Sequence, residues 1–301
     1  MEEISGGRRN RIFCHGPYLE LFAPPRAGSD GSDASYGNRV RRGTLGGEMA
    51  QTGSRSLPRR VGRVAAGLLL LAVLAFVVWA SLARTATPGP LEAAVDDPAV
   101  EVELGSVVTL RPSAREPERG VVFYPGARVH REAYVATWAP IAAETDTLVL
   151  IPRMPLNLAV FGRSRADTLI AEHDEPDEWW VGGHSLGGAM AASWLGTEPE
   201  TDVAGLLLWA SFATDGAELA EREDLHVLSV SGERDGLATP DDIAERRSLL
   251  PEGAVMVEVE GMNHAQFGRY GAQRGDLTPT ISDEQATRAL TDAHVEVFAD
   301  R

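Results

Sequence analysis

The sequence predicts a doubly wound α/β domain with a mostly parallel sheet, placed behind one membrane-inserting segment. Two observations indicate this arrangement. Short apolar runs alternate with helical patterns over residues 100–301, which is typical of an α/β sandwich. Residues 64–83 form a 20-residue run without a charge, which is typical of a membrane-inserting helix. The 301 residues have room for one such domain and an appendage.

The two ends of the chain differ in charge. Residues 1–83 hold 11 Arg against 6 acidic residues, whereas residues 84–301 hold 17 Arg against 38 acidic residues. So acidic a domain argues against nucleic acid as a partner, because phosphate binding needs a basic face. We interpret the acidic surface either as solubilising or as adapted to salt. Cys14 is the only cysteine, which excludes a disulfide, a thiolate metal site and a cysteine nucleophile from residues 84–301.

The N-terminal third is predicted to contain three segments. Residues 1–63 are interpreted as a disordered basic arm, with Met49 as an alternative start that would give the layout of an export signal. As a helix rising ~1.5 Å per residue, 64–83 would span ~30 Å, the thickness of a bilayer's hydrocarbon core. Residues 84–99 are predicted to be a linker to the domain 100–301.

The charges around the apolar run predict its orientation. Four arginines between residues 55 and 63 precede the run, and acidic residues follow it. By the positive-inside tendency, the N-terminus stays cytoplasmic and the acidic domain is exported. The alternative is a secreted protein, released by signal cleavage at the small residues of 81–83. The run exceeds the ~7–15 residues usual in signal peptides, so we favour a single-pass anchor that contacts the membrane through 64–83.

Six short runs are predicted to be strands. Their hydrophobicity is nearly continuous, as expected of parallel strands covered on both faces. A further one or two antiparallel strands are expected within 100–110. The six runs lie at 120–124, 147–151, 179–183, 205–209, 226–231 and 255–259.

Helical patterns fill the gaps between these runs. One apolar face runs over 134–142, where Pro140 should kink the helix or begin a new one. A helix is expected over 186–195, and another should continue to about residue 250. Capping boxes mark the start of this last helix and of a C-terminal one. The boxes are Thr239 with Asp242 and Ser282 with Gln285.

A G-x-S-x-G motif places a candidate nucleophile between a strand and a helix. Gly183, Ser185 and Gly187 follow the strand 179–183 and precede the helix 186–195. This setting is that of a nucleophile elbow, a turn so crowded that it leaves no room for Cβ atoms at 183 and 187. A serine hydroxyl there still needs a base to remove its proton.

His264 is the candidate base. It follows the strand 255–259, so it is expected on a loop at the carboxyl end of the sheet. His184 is fixed within the elbow and is expected to point elsewhere. His226 begins a strand at the opposite edge, and His294 lies on the last helix.

Asp235 is the candidate acid that would orient the base. It lies between the strand 226–231 and the helix beginning near Thr239, again at a carboxyl end. Its role would be to accept the imidazole Nδ1–H and stabilise the imidazolium. Glu233 and Asp215 are alternatives.

Two backbone amides are candidates for an oxyanion hole. One is that of Leu186, directly after the candidate nucleophile. The other is that of Ala127, where Gly126 allows the backbone to turn inward. Arg128 and Arg153 end neighbouring strands and would either pair with an anionic substrate group or remain solvated.

These segments together resemble the α/β-hydrolase superfamily, and in particular its small lidless members related to dienelactone hydrolases. The resemblance covers about residues 120–299, with the motifs YPGAR, GGHSLGG, SGERDGLATP and GMNHAQFGRYG. It implies a hydrolase without metal or cofactor that uses Ser185, Asp235 and His264 on an ester-like bond of a small acyl substrate. A non-catalytic binding module and an acyltransferase are the alternatives.

Two features depart from the family pattern. The dienelactone enzymes use a cysteine as nucleophile, so their substrate does not transfer to a chain with Ser185. Pro125 stands where many relatives carry His, which leaves the second oxyanion donor open.

Overall fold

Eight strands form one sheet in the computed structural model, which describes residues 57–199 and 201–299. Their order is β1-β2-β4-β3-β5-β6-β7-β8. β3 to β8 are parallel, whereas β2 pairs antiparallel with both β1 and β4. The strands are β1 Val100–Leu104, β2 Val107–Pro112, β3 Arg119–Tyr124, β4 Thr147–Pro152, β5 Glu178–His184, β6 Gly205–Trp209, β7 His226–Gly232 and β8 Val255–Val259. The predicted fold class is confirmed, and each predicted parallel strand is present to within one residue at either end.

Seven α-helices accompany the sheet in the described part of the chain. They are α1 Leu57–Ser81, α2 Pro88–Val95, α3 Val135–Glu144, α4 Arg165–Ala171, α5 Leu186–Leu195, α6 Pro240–Glu245 and α7 Asp283–Ala299. α3 and α7 pack on one face of the sheet, and α4 and α5 pack on the other.

Strand β3 shows why the central strands are apolar at almost every position. Val121 and Phe123 belong to the core that includes α3 and α7, whereas Val122 and Tyr124 belong to the core that includes α4 and α5. Successive side chains of a strand point to opposite faces, so in a strand covered on both sides almost every position faces a core and favours an apolar residue. Burial of each such side chain stabilises the fold by ~1.5–3 kcal/mol.

Of the two predicted effects of Pro140, a new helix is excluded, because Pro140 lies inside α3. Helix α6 differs from its predicted length. α6 begins with the predicted capping box but ends at Glu245, short of residue 250, and a 3₁₀ turn Arg247–Leu249 follows it. 3₁₀ turns are frequent at the C-termini of α-helices.

The prediction of a linker over 84–99 is wrong in its centre. Helix α2 occupies Pro88–Val95, with a proline at its first position, where no amide hydrogen is needed. Ala94 is buried in the core that includes α3. The two prolines of PGP suggest a linker when read alone, whereas packing of the apolar side of α2 stabilises a helix.

Helix α1 contains the apolar run. It begins at Leu57, so the last residues of the predicted arm 1–63 are helical, and the arm up to residue 56, including Met49, lies outside the described residues. Within the described part of the chain, Val61–Ser81 is the one helical stretch long and apolar enough to cross a membrane. Its side chains are almost all exposed.

Helix α7 carries a fully buried imidazole on the sheet. The Trp209 indole N–H donates to His294 Nε2 at 3.3 Å, and His294 Nδ1 lies 2.7 Å from the Leu290 carbonyl. The neutral ring with its proton on Nδ1 satisfies both contacts. Burial lowers the pKa of the His294 imidazole to about 4.

We therefore expect His294 to make the protein sensitive to acid. Above about pH 6.5 the ring is neutral in both states. Between about pH 6.5 and pH 4, His294 is protonated in the unfolded chain but stays neutral in the folded chain. Lowering the pH through this range therefore decreases the free energy of unfolding by up to about 3 kcal/mol. His294→Leu should flatten this pH dependence of the urea midpoint, measured on the detergent-solubilised full chain. His173→Leu is the control, because His173 makes the same contact to a carbonyl four residues earlier but reaches water. An unchanged slope in His294→Leu would contradict the assignment.

Candidate active site

Ser185 sits in a strained turn between β5 and α5. Its φ of 53° and ψ of −123° lie in a region that costs ~1–3 kcal/mol for a residue with a side chain. Neighbouring groups hold the turn: the Ser185 amide donates to the Trp209 carbonyl at 2.9 Å, and the Ser211 hydroxyl donates to the Ser185 carbonyl at 2.7 Å. The side chain is partly exposed, so a substrate can reach the hydroxyl.

The two glycines of the motif explain how tightly the elbow is packed. A Cβ at Gly183 would come 2.5 Å from the backbone carbon of Gly187. A Cβ at Gly187 would overlap with the carbonyl oxygen of Tyr124, at the end of β3. The elbow therefore lies directly against the loop that follows β3.

His264 and Asp235 meet in a buried hydrogen bond. His264 Nδ1 lies 2.7 Å from Asp235 Oδ2, with side-chain exposures of 2% and 0%. The other oxygen of Asp235 accepts the amides of Leu237 and Ala238, each at 2.8 Å. The carboxylate is thus fixed by its own loop, and it holds the imidazole in turn.

The two alternative acids lie elsewhere. Glu233 accepts the amide of Gly261 at 2.8 Å, which ties the loop after β7 to the turn after β8. Asp215 lies exposed in a 3₁₀ turn after β6. Of the three candidates, Asp235 is the one that contacts His264.

His184 lies against His264, so the expectation that it points away from the site is wrong. The centroids of the two rings are 4.4 Å apart, and His184 directly precedes Ser185. Burial, reinforced by the charge of His264 when protonated, holds the pKa of the His184 imidazole well below its ordinary value. His184 therefore stays neutral and adds no positive charge beside His264.

Tyr134 connects His184 to the loop after β3. Its hydroxyl accepts the Gly126 amide at 2.9 Å and lies 3.0 Å from His184 Nδ1. Burial raises the pKa of the Tyr134 phenol, so the hydroxyl keeps its proton. A Cβ at Gly126 would lie 2.8 Å from His184 Nδ1, which explains the glycine there.

The two candidate oxyanion donors come from the start of α5 and from the loop after β3. Leu186 is the first residue of α5, so its amide has no acceptor within the helix. Ala127 is partly exposed, and its amide makes no hydrogen bond among the described residues. Both amides are therefore available to a ligand.

The two arginines at strand ends differ in environment. The Arg128 guanidinium donates to the Leu82 carbonyl at 2.5 Å and lies 4.6 Å from the centre of the Trp79 ring. Arg153 is exposed. Arg128 thus contacts the end of α1.

Asp276 is a site residue that the sequence analysis missed. One of its oxygens accepts the amides of Gly236, His264 and Leu277 at 3.1, 3.3 and 2.9 Å, and the other accepts the amide of Ala265 at 2.9 Å. Asp276 therefore joins the loop of Asp235 to the loop of His264. An aspartate in a glycine-rich stretch carries no sequence signal for this role.

A sheet of this strand order with an elbow between β5 and α5 defines the α/β-hydrolase class of folds. The model of the alpha/beta hydrolase family matches residues 120–288, more than half of the chain, and the chain belongs to this family. No curated protein sequence matches the chain. Within the described residues, no group of three or more His, Cys, Asp or Glu could hold a metal ion.

Several solved structures share the fold. A hyperthermophilic esterase from the archaeon Pyrobaculum calidifontis is 16% identical, with a TM-score of 0.51 over 70% of this chain and 89% of its own. Carboxyl esterase 2 from the fungus Tuber melanosporum is 11% identical, with a TM-score of 0.51 over 71% and 91%. A thermophilic carboxylesterase cloned from a metagenomic library is 17% identical, with a TM-score of 0.50 over 69% and 92%.

We expect Asp276→Asn to slow the reaction of Ser185 with a fluorophosphonate by roughly 10- to 100-fold, because small displacements of a reacting group cost about this much. The amide nitrogen of Asn would face a backbone N–H, and the two loops would separate. Asp292→Asn, on the exposed side of α7, is the control. The urea midpoint of both variants is measured in parallel. A labelling rate equal to that of the control would exclude a positioning role for Asp276.

Proposed function

We propose that the protein is a serine hydrolase that cleaves a carboxylic ester, thioester or lactone of a small acyl substrate through an acyl-enzyme. Ser185 is the nucleophile, His264 the base and Asp235 the acid of this proposal. The observation that supports it most strongly is the buried 2.7 Å contact between Asp235 and His264. The His264 ring lies 4.4 Å from that of His184, the residue directly before Ser185.

The first half of the reaction forms the acyl-enzyme. Ser185 Oγ attacks the substrate carbonyl while His264 Nε2 takes the hydroxyl proton. Asp235 accepts the Nδ1–H and stabilises the imidazolium. The amides of Leu186 and Ala127 donate to the oxyanion as its charge develops. Collapse of the tetrahedral intermediate expels the alcohol or thiol, which receives the proton from His264.

The second half reverses these roles with water. His264 takes a proton from water, the hydroxide equivalent attacks the acyl carbon, and Ser185 regains its proton as the acid leaves. The neutral state of His184 favours both halves, since a second cation 4.4 Å away would oppose formation of the imidazolium.

The proposal that the cleaved bond is an ester is supported by the structurally similar proteins. The structures from Pyrobaculum calidifontis and Tuber melanosporum carry the names esterase and carboxyl esterase. A serine at the elbow, where other chemistries of the fold use aspartate, agrees with acyl transfer to a hydroxyl. The resemblance to dienelactone hydrolases rests on the sequence motifs alone.

We also propose that α1 is an uncleaved anchor, with the N-terminus cytoplasmic and the hydrolase domain outside. The arginines that precede the apolar run 64–83 and the acidic residues that follow it support this orientation. Cleavage after Ala83 would remove two partners of the domain: the Ala80 carbonyl, which accepts Asn157 Nδ2 at 3.1 Å, and the Leu82 carbonyl, which accepts Arg128. A secreted form would lose both contacts.

Ser185→Ala should abolish labelling by a fluorophosphonate and hydrolysis of p-nitrophenyl esters. Asp235→Asn should keep Ser185 in place but lower kcat by about 10⁴, because the imidazole loses its oriented tautomer. Ser193→Ala, on the same helix, is the matched control and should label normally. Labelling that persists in Ser185→Ala would identify another nucleophile. A wild-type chain that neither labels nor turns over esters would instead indicate a binding module.

A further inference from the structure

An apolar surface continues from α1 onto the loop after β4. The side chains of Leu156, Val160 and Phe161 are 37%, 52% and 51% exposed, and we call residues 156–161 the apolar loop. The Phe161 ring meets the Phe76 ring of α1 edge-on, with centroids 6.4 Å apart. Phe161 and Phe76 thus join the exposed apolar side chains of the loop to those of the helix.

The position of Phe76 along the axis of α1 places the apolar loop near the membrane surface, if α1 spans the bilayer. Phe76 lies five residues before Ser81, the last residue of α1, which corresponds to about 7.5 Å along the helix axis. With α1 across a bilayer, the Phe161 ring lies within 6.4 Å of the depth of the Phe76 ring. Apolar side chains of interfacial segments bury about 5–10 Å into the boundary between headgroups and acyl chains.

Specific contacts hold the end of α1 to the domain. Asn157 Nδ2 donates to the Ala80 carbonyl at 3.1 Å, and the Arg128 guanidinium bonds the Leu82 carbonyl and covers the Trp79 ring. The backbone continues this attachment. The Arg84 amide donates to the Arg128 carbonyl at 2.7 Å, and the His130 amide donates to the Arg84 carbonyl at 2.9 Å.

The same loops border the candidate active site. Arg128 follows Ala127, the proposed oxyanion donor, and the Arg128 amide donates to the Asn157 carbonyl at 2.8 Å. The turn Ala159–Phe161 packs against α5, the helix that begins directly after Ser185. The catalytic edge of the sheet therefore lies on the side from which α1 leaves the domain.

We propose that the apolar loop inserts into the surface of the bilayer and that the site takes its ester from a lipid-like molecule resident in that bilayer. This inference rests on the proposed function and names its substrate class. The reaction is hydrolysis: water adds across the acyl–oxygen bond and gives a fatty acid and an alcohol. A lipid ester would reach Ser185 by lateral diffusion, with its acyl chain still among the apolar side chains of the loop.

The first experiment measures the depth of the apolar loop. The full chain with Cys14→Ser and Val160→Cys is labelled with an environment-sensitive dye and reconstituted in phosphatidylcholine vesicles that contain doxyl-labelled lipid. Val255→Cys is the control, since Val255 is 42% exposed at the start of the edge strand β8. We expect strong quenching at position 160 and little at 255. Equal, weak quenching at both positions would overturn the proposal. The apolar loop would then be interpreted as a surface that binds a protein partner.

The second experiment separates the substrate class from basal catalysis. Val160→Ser with Phe161→Ser should lower turnover of p-nitrophenyl palmitate in vesicles by roughly tenfold or more, because the loop would lose its apolar insertion. Turnover of soluble p-nitrophenyl butyrate should stay within about twofold. The matched pair Val255→Ser with Met256→Ser should change neither. Unchanged turnover of both esters in the loop variant, or an equal loss of both, would contradict the proposal.

Fluorophosphonate labelling in the same vesicles distinguishes the two possible failures. A wild-type chain that does not label refutes the proposed hydrolase, whatever the position of the loop. If the chain is labelled at Ser185 but the dye at position 160 remains exposed to water, only the proposal of a membrane-resident substrate is refuted.

Discussion

The buried hydrogen bond between Asp235 and His264 is the interaction on which the rest of the site depends. Asp235 lies in the loop after β7, and His264 begins a short 3₁₀ turn, His264–Phe267, after β8. A buried carboxylate is tolerated only when its oxygens are satisfied, and here the amides of Leu237 and Ala238 satisfy one of them. Asp276 then joins the loop of Asp235 to that of His264 through the backbone amides of Gly236, His264 and Ala265.

A second set of contacts couples the elbow to the end of α1. The strained turn at Ser185 is fixed by β6 and Ser211, and its neighbour His184 reaches Tyr134, which holds Gly126. The loop of Gly126 continues into Arg128, which contacts the end of α1. The proposed nucleophile, the proposed oxyanion loop and the proposed anchor thus form one connected structure. Under this proposal, loss of the anchor also removes contacts that position the oxyanion loop.

The sequence predicts the parts of the fold that follow from local pattern. The strand 205–209 and the helix 186–195 are correct to the residue, because a continuous apolar run and a glycine-rich turn leave few alternatives. The helix within 84–99 is missed because its stability comes from packing against α3. Asp276 and His184 are missed for a related reason. Their contacts join stretches far apart in the chain, and they depend on loop paths that no periodicity encodes.

The most direct test of the central claim is a crystal structure of the protein after reaction with a fluorophosphonate. We expect phosphorus bonded to Ser185 Oγ, the phosphonyl oxygen about 3 Å from the amide of Leu186, and His264 Nε2 within hydrogen-bond reach of the adduct. Asp235 should still hold His264 Nδ1. A phosphonate on another residue, or an imidazole turned away from the adduct, would contradict the account.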